Sequence, residues 1–150
     1  MIDYAAPDLT KHPPRSPRVR LGGFVILPRI IDKCRAVIAG TNGEYGFACN
    51  LDLHFFNYVK IGPEAFKKEV ETGIGDLEIL TWVMKNLGRD LTLIDILAWS
   101  DYHTNRAPDN VAYRAKFNGM HEELAPERTD VITSFDMLDL DDYVSFGGKA

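Results

Sequence analysis

One stretch near the start of the chain, residues 21–40, limits the fold more than any other part of the sequence. After Pro28 its apolar residues recur at helical spacing, and the stretch ends at Gly40. Proline suits the first turn of a helix because its missing N–H is not needed there, and glycine suits the left-handed residue that ends a helix. The pattern predicts a helix with one buried face, formed by Ile30, Ile31, Cys34, Val37 and Ile38.

The rest of the chain consists of short amphipathic segments that begin at polar residues or proline and end at glycine or proline. Thr92, with Asp95 three residues later, predicts a capping box at one helix start, and Pro63 and Asp76 mark the starts of two others. The sequence has no internal repeat and no alternation of strands with helices. We therefore predict an all-α fold: a compact bundle of six or seven short helices, an extended Pro-rich N-terminal arm and one minor hairpin near residues 41–50.

A length of 150 residues favours one domain with a single core. Prolines are frequent in the first 20 residues and exclude a long helix there, because the residue before a proline avoids the helical conformation. We predict a basic Pro-rich arm over residues 1–20 that packs on the domain, a single helical domain over residues 21–142 and a loose tail over residues 143–150.

The sequence also bears on location. Its apolar runs are far shorter than the roughly 20 residues that span a membrane, and its N-terminus lacks the pattern of a secretory signal. Without an export signal, Cys34 and Cys49 are expected to remain buried, reduced thiols. These observations indicate a cytoplasmic protein without a membrane segment.

Charge is distributed unevenly along the chain. The protein carries a formal net charge of −5, yet residues 1–40 are basic and residues 121–150 are strongly acidic. The favoured interpretation is that these two ends face each other in the fold or simply remain solvated. The alternative is that the basic end binds an anion or a nucleic acid. Nucleic-acid binding is the less favoured alternative, since an acidic protein repels the phosphate backbone at long range.

The candidate binding residues fall into groups along the chain. Arginines set between prolines in the arm suit a phosphate or carboxylate, which a guanidinium can bind through two hydrogen bonds. The first helix carries charges on its polar face, at i, i+3 spacing that favours ion pairs within the helix, and is followed by a polar segment over residues 44–54. The start of the last helix could receive an anion. The candidates are Arg15, Arg18, Arg29, Asp32, Arg35, Glu44, Tyr45, Asp52, His54 and Arg128.

The chemistry of the 44–54 segment is open. Cys49, Asp52 and His54 lie within six residues, and a thiol beside an imidazole is a known nucleophile pair. The simpler interpretation is an ordinary half-buried histidine, because closeness in sequence does not bring side chains together in space. No two histidines have the i, i+4 spacing of a helical zinc site, so we predict no metal and identify no cofactor.

Several blocks of the sequence resemble one family. The opening block is the most distinctive, and later blocks follow it over nearly the whole chain. The opening block comprises residues 8–11 (DLTK), 13–18 (PPRSPR), 21–23 (LGG) and 27–29 (LPR), and the later ones are 43–45 (GEY), Cys49, 51–52 (LD), 55–56 (FF) and 128–130 (RTD). Together they resemble bacterial domain-of-unknown-function family 5069. The resemblance implies a small, single-domain, cytoplasmic bacterial protein and assigns no catalytic or binding residue.

Three functional interpretations follow. The preferred one is an uncharacterised cytoplasmic helical domain that acts through protein–protein contacts, as a homodimer or with another protein partner, because no catalytic motif is present. The first alternative is a small-molecule or anion-binding enzyme with its site between the 29–35 helix and the 44–54 segment. The second alternative is nucleic-acid binding through the basic arm. A buried, solvent-connected cavity ringed by charged residues would favour the first alternative over the preferred interpretation.

Overall fold

The computed structural model describes residues 6–150, so the first five residues of the arm lie outside the description. Seven helices and no strand occur within these residues, which confirms the predicted all-α fold. The helices are α1 (Leu27–Ala39), α2 (Asn50–Val59), α3 (Pro63–Val70), α4 (Asp76–Lys85), α5 (Leu93–Asn105), α6 (Val111–Leu124) and α7 (Ser134–Ser145).

The hairpin predicted near residues 41–50 is wrong. Residues 41–49 form turns and irregular chain, and Asn50 already belongs to α2. Within residues 6–150 the only β-type pairing is an isolated bridge between Leu21 and Phe24. The Asn42–Gly43 turn is present, but no extended partner strand follows it. Instead the N–H of Leu9 donates to the carbonyl of Thr41, so this turn holds the arm against the end of α1.

Helix α1 lies at the centre of the main core. Ile30, Ile31 and Cys34 are fully buried, as predicted. The prediction is wrong for Ile38, which is 40% exposed. The buried face of α1 ends before its last turn. It also includes Arg29 and Lys33, whose charges are paired inside the protein.

Aromatic side chains from several helices fill the space beside α1. Phe24 contacts Phe55 of α2 and Trp99 of α5 edge-on, with ring centroids 5.3 and 6.2 Å apart. Phe56 of α2 meets Phe66 of α3 at 5.3 Å in the same geometry. Such edge-to-face pairs add to the hydrophobic contribution of large buried rings. A second, smaller apolar cluster lies between α6 and α7.

Two glycines allow the chain to pass under the exposed surfaces of α4 and α5. Gly22 and Gly23 have φ values of 59° and 84°, which side-chain-bearing residues rarely adopt. A Cβ on Gly22 would lie 2.5 Å from Cδ1 of Leu80, and one on Gly23 would lie 3.2 Å from Cδ2 of Leu97. Conformation and space therefore both require glycine in this turn.

The basic arm is docked on the helices through its arginines. Arg15 donates to Asp32 of α1 and to Asp76 of α4. Arg18 pairs with Asp136 and Asp139 of α7, and Arg20 pairs with Asp101 of α5. The basic N-terminal end thus lies partly against the acidic C-terminal end, as the charge distribution suggested.

The start of α5 follows its sequence signal. Thr92 and Asp95 form the predicted capping box at α5, in which each side chain bonds the backbone N–H of the other. Thr133 and Asp136 form a second box at α7. Because Asp136 also receives Arg18, this cap links the last helix to the arm.

The buried imidazole of His103 makes the stability of this fold sensitive to acid. Burial, with smaller contributions from the nearby charges of His54 and Arg106, lowers the pKa of His103 from 6.5 to about 4. Between these values the unfolded chain binds more protons than the folded chain. The contribution of neutral His103 to the free energy of unfolding is therefore fully present above pH 6.5. It is lost as the pH decreases toward 4, by up to about 3 kcal/mol.

Urea denaturation near pH 7 and at about pH 4.5 checks this expectation. His103→Phe keeps a ring of similar size, and we expect it to lose about 2 kcal/mol less free energy of unfolding over this interval than the wild type. His12→Gln changes an exposed histidine and should behave as the wild type does. Equal losses for the wild type and His103→Phe would contradict the assignment.

Candidate functional site

A cleft of about 680 Å³ opens between the arm, α1, the segment before α2 and the end of α7. Apolar groups share its wall with charged side chains. It is lined by Leu9, Thr10, Arg29, Lys33, Gly43, Glu44, Tyr45, Gly46, Cys49, Leu51, Leu138, Asp141, Asp142, Ser145 and Phe146. This volume is in the range of small-molecule sites in proteins.

Arg29 and Asp142 form a buried ion pair at one side of the cleft. The guanidinium of Arg29 donates to both carboxylate oxygens of Asp142, at 2.7 and 3.3 Å, and to the backbone carbonyl of Arg15 at 3.2 Å. The phenol of Tyr45 donates to the same carboxylate at 2.7 Å. Burial, followed by this hydrogen bond, raises the pKa of Tyr45, so the phenol remains a donor. The pair therefore joins α1, α7 and the loop before α2.

Lys33 forms a second buried pair one helical turn further along α1. Its ammonium donates to Asp52 of α2 at 2.7 Å and to the sulfur of Cys49 at 3.3 Å. Lys33 is 3% exposed and Asp52 is fully buried. These two acceptors hold the ammonium of Lys33, whose side chain also lines the cleft.

The backbone before α2 is shaped to hold this arrangement. Ala48 has a φ of 60°, which is uncommon for a residue with a Cβ. Its N–H donates to the second oxygen of Asp52 at 3.0 Å, so the carboxylate that holds Lys33 also holds the turn. Cys49 follows as the N-cap residue, immediately before α2. The expectation of a buried Cys49 is wrong: its side chain is exposed because this turn directs it to the cleft.

Acidic side chains without cationic partners form the outer wall. Within the described chain, neither Glu44 nor Asp141 takes part in an ion pair, whereas Arg29 and Lys33 are each paired with an internal carboxylate. Burial raises the pKa of Asp141, and the charge of neighbouring Asp142 raises it further. The electrostatic character available to a ligand is therefore acidic.

The structure gathers some of the residues predicted from the sequence and separates others. Arg29, Glu44 and Tyr45 line the cleft, and Asp52 lies directly behind it. Asp32 and Arg35 belong to a separate network at Asp76, together with Arg15 of the arm. The ion pairs predicted within α1 are wrong because each of these charges finds its partner on another element.

The remaining candidates lie elsewhere. Arg18 is bound to α7, and Arg128 pairs with Asp130 near the surface, beside a smaller cleft of about 330 Å³. The ring of His54 packs against His103 of α5, with centroids 4.9 Å apart, while Cys49 contacts Lys33. These contacts do not support the Cys–His nucleophile pair considered from the sequence.

The sequence interpretation missed Lys33, Asp141 and Asp142. Lys33 lies four residues after Arg29, and both are followed by buried Ala36, so the three form a second stripe on α1. That spacing was a usable signal. Asp141 and Asp142 appeared only as members of an acidic tail, and nothing in their local sequence identifies which of them turns inward.

The described residues also bear on three other features: the arginines of the arm, metal-binding groups and membrane-spanning helices. Arg15, Arg18 and Arg20 of the arm are each paired with aspartates of the helices. Among residues 6–150 no three histidine, cysteine or acidic side chains converge in a group that could hold a metal ion. Across the same residues, each helix is too short or too polar to traverse a bilayer.

Fold and site together define a small all-helical domain with one polar cleft beside its central helix. Comparison with protein families identifies the class: the chain matches the family described as Domain of unknown function (DUF5069) over residues 11–144. The chain belongs to this family, as its opening block indicated. The matched range includes Arg29, Lys33, Cys49 and Asp142. No match was found among curated proteins.

The Arg29–Asp142 pair should be essential for the packing of α7. Removing one partner leaves the other charge buried and uncompensated, which typically costs about 3–5 kcal/mol. We expect Asp142→Ala to lower the free energy of unfolding by an amount in this range, measured by urea denaturation. The double variant Arg29→Met/Asp142→Leu should lose less, because it leaves no buried charge. A loss below about 1 kcal/mol for Asp142→Ala would contradict the interpretation. Arg128→Ala, at an exposed pair, is the matched control and should leave stability unchanged.

Proposed function

We propose that this protein binds a small molecule that carries an ammonium group and an apolar portion, and that the site is the cleft beside α1. The observation that carries the proposal is the charge balance of the cleft wall. Its cations, Arg29 and Lys33, are neutralised by buried carboxylates, whereas Glu44 and Asp141 are without ion-pair partners in the described chain. A cationic group on the ligand would supply the missing partner.

The remainder of the cleft wall supports an apolar portion in the ligand. Leu9, Leu51, Leu138 and Phe146 border the same space as the acidic residues. Burial of apolar surface contributes roughly 25 cal/mol per Å², so these side chains favour a ligand with a short hydrocarbon body. The pairing of an apolar wall with a few fixed polar groups is typical of small-molecule sites.

This proposal places ligand binding ahead of protein contacts, the interpretation that the sequence favoured. A buried, solvent-connected cavity ringed by charged residues was the feature expected to separate the two, and the cleft meets that expectation in part: it is open to solvent and has charged residues in its wall. It also replaces the anion considered from the sequence with a cation, because the basic residues of the cleft are already neutralised. We keep the cytoplasmic location as part of the proposal, since a reducing environment would leave Cys49 as a thiol.

The test is a titration with hexylammonium, compared with hexanoate and hexanol as probes of equal chain length. Amide resonances of Gly43 and Gly46, which line the cleft, should shift with hexylammonium at concentrations at which the other two probes have no effect. Binding should weaken as the pH falls, because protonation of Asp141 removes the partner charge. Because burial raises the pKa of Asp141, this loss should begin at a higher pH than it would for an ordinary aspartate.

Charge-removing variants complete this test. Asp141→Asn and Glu44→Gln should each weaken hexylammonium binding about tenfold, the ratio that corresponds to roughly 1.4 kcal/mol. Asp130→Asn lies at the other cleft and should have no effect. Binding of hexanoate in preference to hexylammonium would overturn the proposal, as would resonance shifts confined to other surfaces.

A second candidate is self-association through α4 and α5. Large apolar side chains are exposed on both helices: Leu77 is 70%, Leu93 63% and Ile94 78% exposed. Both helices reach the Gly22–Gly23 turn, since Leu80 of α4 lies beside Gly22 and Leu93 of α5 lies beside Gly23. A second copy is the occupant we propose, because two identical apolar surfaces related by a two-fold axis need no charge complementarity.

Light scattering after gel filtration tests the second candidate. We expect a dimer in the wild type at high protein concentration and a monomer in Ile94→Glu, because a charge would have to be buried in the contact. Val111→Glu, at an exposed apolar residue on α6, should leave the dimer intact. A wild type that remains monomeric at every concentration would rule this candidate out.

A further inference from the structure

Three basic side chains form a group where α2 contacts the last turns of α5. This basic cluster consists of His54 of α2, His103 of α5 and Arg106, which follows α5. The imidazole centroids lie 4.9 Å apart. His103 is 4% exposed, and its Nδ1 is enclosed without a hydrogen-bond partner. The Nε of Arg106 is enclosed and unbonded in the same way. Such orphaned polar atoms are uncommon in folded proteins, so two of them in one cluster indicate a missing partner.

Arg106 differs from the other buried or half-buried arginines among residues 6–150. Each of those others donates to an aspartate; they are Arg15, Arg18, Arg29 and Arg35. Within the same residues Arg106 has no carboxylate partner, and its guanidinium lies over the ring of Tyr113, 5.9 Å from the ring centre. An aromatic face attracts a cation but does not replace an oxygen acceptor for its N–H groups. Arg106 therefore lacks the anion that the comparable arginines have.

The charges around the two imidazoles are also unbalanced. Burial, followed by the charge of Arg106, lowers the pKa of His54, and burial with the charges of His54 and Arg106 lowers that of His103. Both rings are therefore neutral near pH 7. Asp109, which is exposed, opposes this effect at His54, and the ring of Tyr102 lies 5.1 Å from that of His103. In the described chain no carboxylate forms an ion pair with any member of the basic cluster.

We propose that the basic cluster binds a phosphate group, at a site separate from the cleft beside α1 and independent of the function proposed for that cleft. The guanidinium of Arg106 supplies the fixed positive charge and the paired N–H groups that suit phosphate oxygens. His54 and His103 supply further donors, more than the two oxygens of a carboxylate would need. His54 and Arg106 are half-buried, so the site is open at the surface.

Two sources of the phosphate group are compatible with this chemistry: free inorganic phosphate and a phosphate ester. The exposed ring of Tyr102, 60% accessible, lies beside His103 and would contact the organic part of an ester. Comparison of inorganic phosphate with phenyl phosphate distinguishes them. Tighter binding of phenyl phosphate would support an ester, and tighter binding of inorganic phosphate would support the free ion. Acetate bound as tightly as either would overturn the proposal.

Binding at this site should be coupled to proton uptake. A bound anion favours the imidazolium form, so it opposes the effect of burial and of Arg106 on both histidines. The affinity should therefore increase as the pH falls from about 7 to about 5. Sulfate is the suitable probe for this range, because it has the shape of phosphate and keeps its charge while phosphate does not.

The first experiment is an NMR pH titration of the histidine ring protons in sodium sulfate and in sodium chloride of equal ionic strength. We expect sulfate to raise the pKa of His103 from about 4 to about 5 or higher. His12, which is exposed, is the internal control and should titrate alike in both salts. The same pKa for His103 in sulfate and in chloride would overturn the proposal.

Variants of Arg106 separate anion binding from a structural role. Arg106→Gln should remove the effect of sulfate on His103 and weaken inorganic phosphate about tenfold, followed through the amide resonance of His54. Arg106→Lys keeps the charge and should retain part of the effect. Arg89→Gln is the matched control, because Arg89 is exposed and also lies over an aromatic ring, that of Tyr58. An undiminished sulfate effect in folded Arg106→Gln would overturn the site. Hexylammonium should leave the His54 resonance unmoved, so either proposal can fail without the other.

Discussion

Two buried basic side chains on the first helix, Arg29 and Lys33, constrain this structure more than any apolar contact does. Moving a charge out of water is costly, so each must be matched by a carboxylate in good geometry. Asp142 at the end of α7 matches Arg29, and Asp52 in α2 matches Lys33. The position of α1 relative to both neighbours is therefore determined by directional contacts, which apolar packing alone does not supply. The two walls of the cleft depend on these pairs.

The same pairs decide what the cleft can bind. A site that contains an arginine and a lysine would ordinarily be expected to attract anions, and the sequence interpretation followed that reasoning. The geometry reverses it, because a cation that is already bonded to a buried carboxylate presents little net charge to a ligand. Glu44 and Asp141 are then the charges of the cleft without an ion-pair partner in the described chain, and burial together with the charge of Asp142 raises the pKa of Asp141. The chemistry thus follows from which charges are paired rather than from which are present.

Local features were predictable from the sequence, and long-range pairings were not. The capping box at Thr92 and the buried residues Ile30 and Ile31 depend on neighbours within four residues, so spacing alone reveals them. The partner of Arg29 lies 113 positions away in the chain, and several aspartates near the C-terminus were equally plausible candidates. Lys33 was overlooked because a lysine on a helix is usually solvated. The hairpin failed because an Asn–Gly turn specifies a reversal of direction but not a strand to pair with.

The N-terminal arm forms part of the site, so it is not merely a solvated extension of the domain. The carbonyl of Arg15 accepts a hydrogen bond from Arg29, and the N–H of Ile26, at a φ of 71°, donates to the carbonyl of Pro17. A β-branched residue in that conformation persists only where its surroundings hold it, as the fully buried side chain of Ile26 and this bond do here. Leu9 meanwhile forms part of the cleft wall. The closely spaced prolines reduce the freedom that the arm loses on docking, so the buried ion pair and the cleft are both enclosed by a segment that is stiff before it binds.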